Sequence, residues 1–443
     1  MEEIVDARDL LRFCLEKQEE MRKRDWVAAL TFLTTRKGLD LQLPELSAFN
    51  EALLSRLHLF RDGIYLLCHR LGVLGFSPSL WRLCPVLSDR IASLKPKEMA
   101  VIAWSLAKNM VTDEDVWDEI GKATLASVDV LDGEHLALLL WSFAKVERRK
   151  PKEILAIKQR LLFATASPSM GLNKSLPSDT RKFQQEQLKG DAGKALNTQR
   201  SQETPNSSHR VEAEEKQSEC SQGPSPSAAT SAPARLRASA DSLPISLSMH
   251  DLCMATRAAA TLTPRDVPFC ERMLEAVRVR VEMEGEAILP QGWTSLWTVV
   301  AELKIRNPQI IEMLCEESRR LRLDHTFNQN MAVEIAVAVK KMGLKDPRVL
   351  FQLIHFVETR ANRLRAEQLL EMAELFRDLG IDHDGAWKQM GVRAQKSAIS
   401  LDLRGIHRLA AAFHGAGKGN QKVFGILQHF AMVKDDQRRY GPS

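Results

Sequence analysis

One sequence element recurs at a constant spacing, and this repeat constrains the fold more than any other feature. The segments LKPKEMAVIAWSLAK and LDGEHLALLLWSFAK begin at Leu94 and Leu131, so their starts lie 37 residues apart (131 − 94). Both contain Trp-Ser-x-Ala-Lys, at Trp104–Lys108 and Trp141–Lys145. Self-similarity at a fixed period of roughly 20 to 50 residues is the signature of repeat proteins. The chain is therefore predicted to consist of repeated units.

The same 37-residue period returns in the C-terminal half of the chain. Three segments begin at Phe327, Leu364 and Leu401, again 37 residues apart. Each has glycine at offset +16 when the first residue is counted as zero: Gly343, Gly380 and Gly417. More diverged copies begin at Leu59, at about Ile288 and near Leu247.

The pattern inside each unit predicts two helices. Apolar residues recur at +5, +8, +9 and +12, as in Met99, Ile102, Ala103 and Leu106, and these offsets share one face of an α-helix. The small residue at +9 lets a neighbouring helix approach closely; it is Ala103, Ala336, Ala373 or Ala410. The glycine at +16 suits a left-handed helix end.

A second helix follows in each unit, with apolar residues at +23 and +26, such as Trp117 and Ile120. Residues placed to cap its N-terminus are Asp113, Asp346, Asp382 and Asn420. A single helix–turn–helix unit cannot cover its own apolar faces, so successive units must stack. The predicted fold is all-α: an α-solenoid of helix–turn–helix repeats of about 37 residues, in two blocks separated by a disordered linker.

Composition sets the domain boundaries. Residues 165–244 are rich in Ser, Gln, Pro and Ala and poor in aromatic and β-branched residues, so they bury too little apolar surface to fold. We predict helical-repeat blocks at 1–164 and 245–434, a disordered low-complexity linker at 165–244 and a tail at 435–443. The linker is either a passive tether or a segment with a role of its own.

The charge balance and the cysteine content limit the classes of function that fit this chain. The 62 Lys and Arg against 57 Asp and Glu give a net charge of +5, which is compatible with a nucleic-acid partner without requiring one. The seven cysteines contain no Cys-x-x-Cys pair and indicate a reducing compartment. No apolar run is long enough to cross a membrane.

No catalytic motif is readable, and we predict that the protein is not an enzyme and holds no cofactor and no metal. The sequence Asp382-His383-Asp384 resembles a set of metal ligands, but its place at a helix start favours capping.

The residues of the repeat also resemble a known family. Pro96-Lys97-Glu98 before an apolar helix, followed by Trp104–Lys108 and again by Trp141–Lys145, is similar to the octotricopeptide and heptatricopeptide repeats of organellar RNA-binding proteins. The resemblance covers roughly 280 residues in diverged copies. These α-solenoids often accompany a RAP domain, whose α/β pattern is missing after Lys434 here.

The resemblance implies that the protein binds RNA, and that this RNA is ribosomal RNA. It also implies contacts with neighbouring proteins of a ribonucleoprotein such as a mitochondrial ribosome. The low-complexity insertion resembles those of apicomplexan proteins. The implied location is mitochondrial, with the plastid or apicoplast as the alternative. Residues 1–6 are acidic, unlike a transit peptide, so either the chain is not imported or this start is trimmed or internal.

Polar residues late in the first helices are the candidate RNA contacts. At +13 and +14 the chain has Lys108, Lys145, Lys340, Lys341, Arg377 and His414. Equivalent positions of stacked units form a row, and a row of cations can follow RNA phosphates. The alternative is a solvated helix end, where cations also complement the helix dipole. The tryptophans at +10, Trp104 and Trp141, either stack on bases or pack between repeats.

Further basic clusters are candidates for RNA contact outside the groove or for ordinary solvated surface. These are Arg148-Arg149-Lys150, Arg278 with Arg280, and Arg319-Arg320 with Arg322. The alternative function is a protein-only scaffold of an organellar complex, which binds a peptide or a helix in its concave groove; the nearly balanced charge favours it.

Overall fold

The computed structural model describes residues 6–36, 39–40, 42–166, 247–321 and 327–440. This part of the chain is helical and contains no strand. The first nine helices are α1 (Ala7–Glu16), α2 (Lys23–Thr35), α3 (Pro44–Ser55), α4 (Ile64–Leu74), α5 (Ser77–Ser88), α6 (Pro96–Lys108), α7 (Glu114–Ser127), α8 (Gly133–Lys145) and α9 (Pro151–Ala166).

Ten further helices follow residue 247. They are α10 (Met249–Leu262), α11 (Val267–Val279), α12 (Pro290–Glu302), α13 (Pro308–Arg320), α14 (Gln329–Met342), α15 (Pro347–Arg360), α16 (Ala366–Leu379), α17 (Asp384–Ser397), α18 (Leu403–Gly415) and α19 (Gln421–Tyr440). The last helix continues through residues 435–440, at the start of the segment predicted as a tail.

The helices form two rows, as the 37-residue repeat predicts. The even-numbered helices from α2 to α18 contact one another in series, and we call them the first-helix row. The odd-numbered helices from α5 to α19 do the same and form the second-helix row. From α4 onward, each first helix also contacts the second helix that follows it in the chain. This serial stacking is an α-solenoid, and the predicted fold class is confirmed.

The two predicted blocks continue into each other in this array. Helix α8 contacts α10, and α9 contacts α11, which are the same relations that hold within each block. The buried Lys158 of α9 contacts Asp266, donates to the Thr263 hydroxyl at 3.1 Å and lies 4.6 Å from the Phe269 ring centroid. The linker was predicted to begin at residue 165, but α9 continues to Ala166, so the predicted boundary is two residues too early. Residues 167–246 lie outside the described residues, and so does the prediction that the linker up to residue 244 is disordered.

The helix ends are stabilised by the glycine and capping residues that the repeat places there. Gly343, Gly380 and Gly417 have φ values of 64°, 69° and 64°, a left-handed conformation that residues with a Cβ rarely adopt. Asp113 and Asp346 accept hydrogen bonds from the backbone amides of the next helix, as predicted. Asp382 was expected to cap α17 and does not, because its carboxylate pairs with Lys418 and the preceding loop places His383 at the cap position instead.

The tryptophan at +23 of a repeat contacts both its own unit and the following unit. The indole Nε1 atoms of Trp117 and Trp387 donate at 2.8 Å to the carbonyl oxygens six residues earlier, in the loop between the two helices of their own unit. Their rings contact Phe143 and Phe413, which belong to the first helix of the following unit, at 5.9 and 5.2 Å between centroids. One side chain therefore satisfies a loop carbonyl and fills the core between units.

Candidate RNA-binding surface

The first-helix row leaves only a narrow part of each helix open to solvent. Eight of the thirteen residues of α6 are buried, because this helix packs against α4, α7 and α8. The residues at +3, +7, +10 and +14 lie on one helical face, which in α6 includes the exposed Lys97 and the half-buried Lys108. We call this face of successive first helices the open face.

The six predicted residues all lie in the last turns of first helices, but they form two groups. Lys108 and Lys145 end α6 and α8, which contact each other. Lys340, Lys341, Arg377 and His414 lie on α14, α16 and α18. Between these groups stand α10 and α12, and their corresponding residues are Ala260, Thr261, Ala301 and Glu302. The expected row of cations is therefore interrupted by two helices that carry no cation at +13 or +14.

The first group combines cations with aromatic rings. The Lys108 ammonium lies 4.8 Å from the centroid of the Trp104 ring, and Lys145 is exposed. A cation over an aromatic face is held by the ring quadrupole, which orients Lys108 at the edge of the open face. Within the part of the chain that the structure describes, no carboxylate forms an ion pair with Lys145.

The tryptophans of this group have different surroundings. Trp104 is only 3% exposed, so packing between units accounts for it, and base stacking on its ring is excluded. Trp141 is half-buried and lies four residues before the exposed Lys145 on the same helix. His69 of α4 lies 5.4 Å from Trp104 between ring centroids. Burial, with Arg70 and Lys108 nearby, lowers the pKa of His69 to about 4, so it is neutral at pH 7.

In the second group, one carboxylate is shared by two of the predicted cations. Asp378 lies 2.5 Å from the Lys340 ammonium and 2.6 Å from the Arg377 guanidinium. Partial burial opposes ionisation of Asp378, but the hydrogen bonds from the two cations hold its pKa below the ordinary value. Lys341 and His414 are exposed and form no ion pair with any described residue. Lys340, Arg377 and Asp378 together therefore carry one net positive charge, whereas the two predicted cations alone would carry two.

The other predicted basic clusters are largely engaged in ion pairs. Arg148 contacts Asp118 at 2.9 Å and Glu153 at 3.0 Å, and Arg278 contacts Glu275 at 2.5 Å. Arg319 and Arg320 pair with Glu316 and Glu317 at 3.1 and 2.8 Å. These contacts favour the interpretation as ordinary surface, because a paired cation attracts phosphate less than a free one does.

Sequence reasoning missed a basic groove between α18 and α19. Its walls carry five basic side chains over a volume of about 790 Å³: Arg404, His407, Arg408, Lys434 and Arg438. The spacing of the basic residues in the sequence could have indicated this groove. Residues four apart share a helix face, and this is the spacing of Arg404 and Arg408 and of Lys434 and Arg438.

The described residues hold no group of three or more His, Cys, Asp or Glu side chains arranged to bind a metal. Asp382 and Asp384, in the segment that resembles metal ligands, both lie 2.5 Å from the Lys418 ammonium. The six described cysteines are buried, and burial raises their thiol pKa values, to about 11 for Cys14 and about 12 for Cys315. Among the described helices, none has the length and apolar character that a membrane span requires.

Comparison of the chain with protein-family models and with curated proteins finds no match.

Proposed function

We propose that this α-solenoid binds RNA on its open face, with the surface of α6 and α8 as a principal contact. The observation that carries the proposal is the pair formed by Lys108 and Lys145, which end two contacting helices, together with the half-buried Trp141 one turn before Lys145. Cations attract the phosphates, and an accessible aromatic face offers a surface on which a base can stack. The resemblance to organellar RNA-binding repeats supports the same function.

The proposed binding works through charge and shape. Two phosphate contacts at α6 and α8 position the strand, and the neutral region at α10 and α12 adds little electrostatic attraction.

The location in an organelle and the association with ribosomal RNA rest on the family resemblance alone. Co-sedimentation of the protein with ribosomal particles from organelles of the source organism tests both; migration with the free-protein fraction would contradict them.

Salt-dependent RNA binding tests the main proposal. We expect the double variant Lys108→Glu, Lys145→Glu to bind a fluorescein-labelled single-stranded oligouridine more weakly than the unmodified protein. The slope of log K against log salt should fall by about 1.4, because each phosphate contact of a single strand contributes about 0.7. Fluorescence anisotropy at several salt concentrations measures both quantities, and circular dichroism verifies that the variant is folded.

The matched control is the double variant Lys388→Glu, Lys396→Glu. Both lysines are exposed on α17, in the second-helix row, and neither forms an ion pair with a described residue. The net charge changes equally in the two variants. A difference in RNA affinity between them therefore reports the position of the substituted lysines and not the total charge. Absence of RNA binding by the unmodified protein at low salt would refute the proposed function.

A second candidate function, a protein-only scaffold, is favoured by the open face of α16. Its residues at +3, +7, +10 and +14 are all acidic: Glu367, Glu371, Glu374 and Asp378. Glu374 pairs with Arg408 at 2.7 Å, while Glu367 and Glu371 are exposed. Such a surface repels RNA and suits a basic peptide or protein. Binding of oligolysine that is lost in Glu367→Lys, Glu371→Lys would support this function over the first.

A further inference from the structure

The groove between α18 and α19 presents cations from two antiparallel helices to the same space. Arg404, His407 and Arg408 come from the first half of α18, and Lys434 and Arg438 come from the last part of α19. Leu403 and Ala411 supply apolar surface between them. The groove thus combines charged walls with an aliphatic lining.

Few of the charges in the groove are neutralised. Arg408 is engaged with Glu374 through two hydrogen bonds, of 2.8 and 2.7 Å. Asp402, the one acidic residue of the lining, accepts a hydrogen bond of 2.7 Å from the backbone amide of Gly405. Arg404, Lys434 and Arg438 form no ion pair with any residue in the described ranges. Three unpaired cations therefore face one carboxylate.

The spacing of these cations suits a chain of phosphates. Residues four apart on a helix are separated by about 6 Å along its axis, so the unpaired Lys434 and Arg438 of α19 lie at roughly that interval, and the unpaired Arg404 lies on the opposite wall. This interval is close to the separation of successive phosphates in an extended single strand. An arginine guanidinium also binds phosphate oxygens through two parallel hydrogen bonds, which a point charge cannot do.

We propose that the groove between α18 and α19 is a second phosphate-binding site, which holds the backbone of the same single-stranded RNA at a distance from α6 and α8. This inference rests on the proposed function. From α8 to α18 the first-helix row advances by five helix-to-helix steps, which at roughly 8–10 Å each gives a path of roughly 40–50 Å. An RNA that uses both sites must be long enough to cover this path and must bridge the acidic open face of α16 without binding to it.

The test compares Arg404→Glu, Arg438→Glu with the control Lys388→Glu, Lys396→Glu, in the full chain. The probes are two labelled oligouridines, one long enough to cover the path between the sites and one too short for it. We expect the groove variant to lower the salt slope by about 1.4 with the long probe. We expect a smaller change with the short probe, because that probe still binds at α6 and α8. The control should leave the slope nearly unchanged with both.

Three results would overturn the inference. If the unmodified protein binds the long probe and the groove variant matches the control, the groove does not bind RNA, while the proposed function stands. If the unmodified protein binds neither probe at low salt, the proposed function fails together with the inference. If polyglutamate of similar length binds as tightly as the oligouridine and loses affinity equally in the groove variant, the groove is a general site for polyanions.

Discussion

The contact between Lys158 and Asp266 should couple the two blocks of the solenoid energetically. Lys158 lies on α9, its side chain is only 5% exposed, and Asp266 is separated from it in sequence by the long insertion. Full burial of such a pair makes removal of one partner cost about 3–5 kcal/mol, but the Asp266 side chain is 41% exposed and remains solvated. We therefore expect a smaller cost, about 1–3 kcal/mol, typical of a lost hydrogen bond to a charged group.

A double-mutant cycle isolates this interaction. Lys158→Met keeps an unbranched apolar side chain of similar length in this buried position, although the contact of the ammonium with the Phe269 ring is lost. Asp266→Asn keeps a side-chain oxygen for the cap of α11, where Asp266 accepts from the Phe269 amide at 3.3 Å. We expect a coupling free energy of about 1–2 kcal/mol between the two substitutions. Urea unfolding followed by circular dichroism measures the free energy of unfolding of each variant.

The control cycle uses Lys122 and Glu119, which form an ion pair of 2.6 Å on the surface of α7. The Lys122 side chain is 72% exposed, so its coupling energy should be about 0.2–0.5 kcal/mol. Equal coupling energies in the two cycles would contradict the reasoning, because they would mean that the buried junction contributes no more than a solvent-exposed pair.

Two further predictions concern protonation and the shared carboxylate. The pKa of His69 in the folded protein is about 4, below its unfolded value near 6.5, so His69 is neutral in both states at pH 7. Between these two values the unfolded chain binds a proton that the folded protein does not, and the free energy of unfolding should therefore fall as the pH drops from about 6.5 toward 4. Thermal unfolding across this range should show a weaker pH dependence in His69→Phe; an unchanged dependence would mean that other groups cause it. Asp378→Asn should strengthen RNA binding and increase its salt slope, because Lys340 and Arg377 lose their shared anion; anisotropy titration checks this, and unchanged binding would show that RNA does not reach α16.

Several features of the fold were predictable because they depend on local periodicity. Glycine at +16 predicted left-handed helix ends at Gly343, Gly380 and Gly417, since few other residues adopt that conformation. Apolar spacing predicted the buried faces, and the constant period predicted serial stacking. The cap of α17 was mispredicted, because Asp382 and His383 are both capable of capping and only the path of the preceding loop selects between them.

The candidate site was less predictable, because it depends on which side chains meet across units. The offsets placed Lys340 and Arg377 at the same end of neighbouring helices, but their shared contact with Asp378 depends on rotamers and on the distance between α14 and α16. Trp104 and Trp141 have the same offset in the repeat, yet Trp104 is buried and Trp141 is only half-buried.

By itself, the sequence determined that this protein is an all-α solenoid with a helix hairpin every 37 residues, because hydrophobic periodicity and helix-end chemistry act over short stretches of chain. Only the tertiary structure decided which cations remain free of ion pairs and can therefore contact RNA. Ion pairing across units neutralises part of the predicted cation row, while the packing of α18 beside α19 brings Arg404 and Arg438 to one groove. Whether a cation is free to bind RNA depends on its distance from acidic side chains that are far away in sequence. The repeat spacing does not specify those distances.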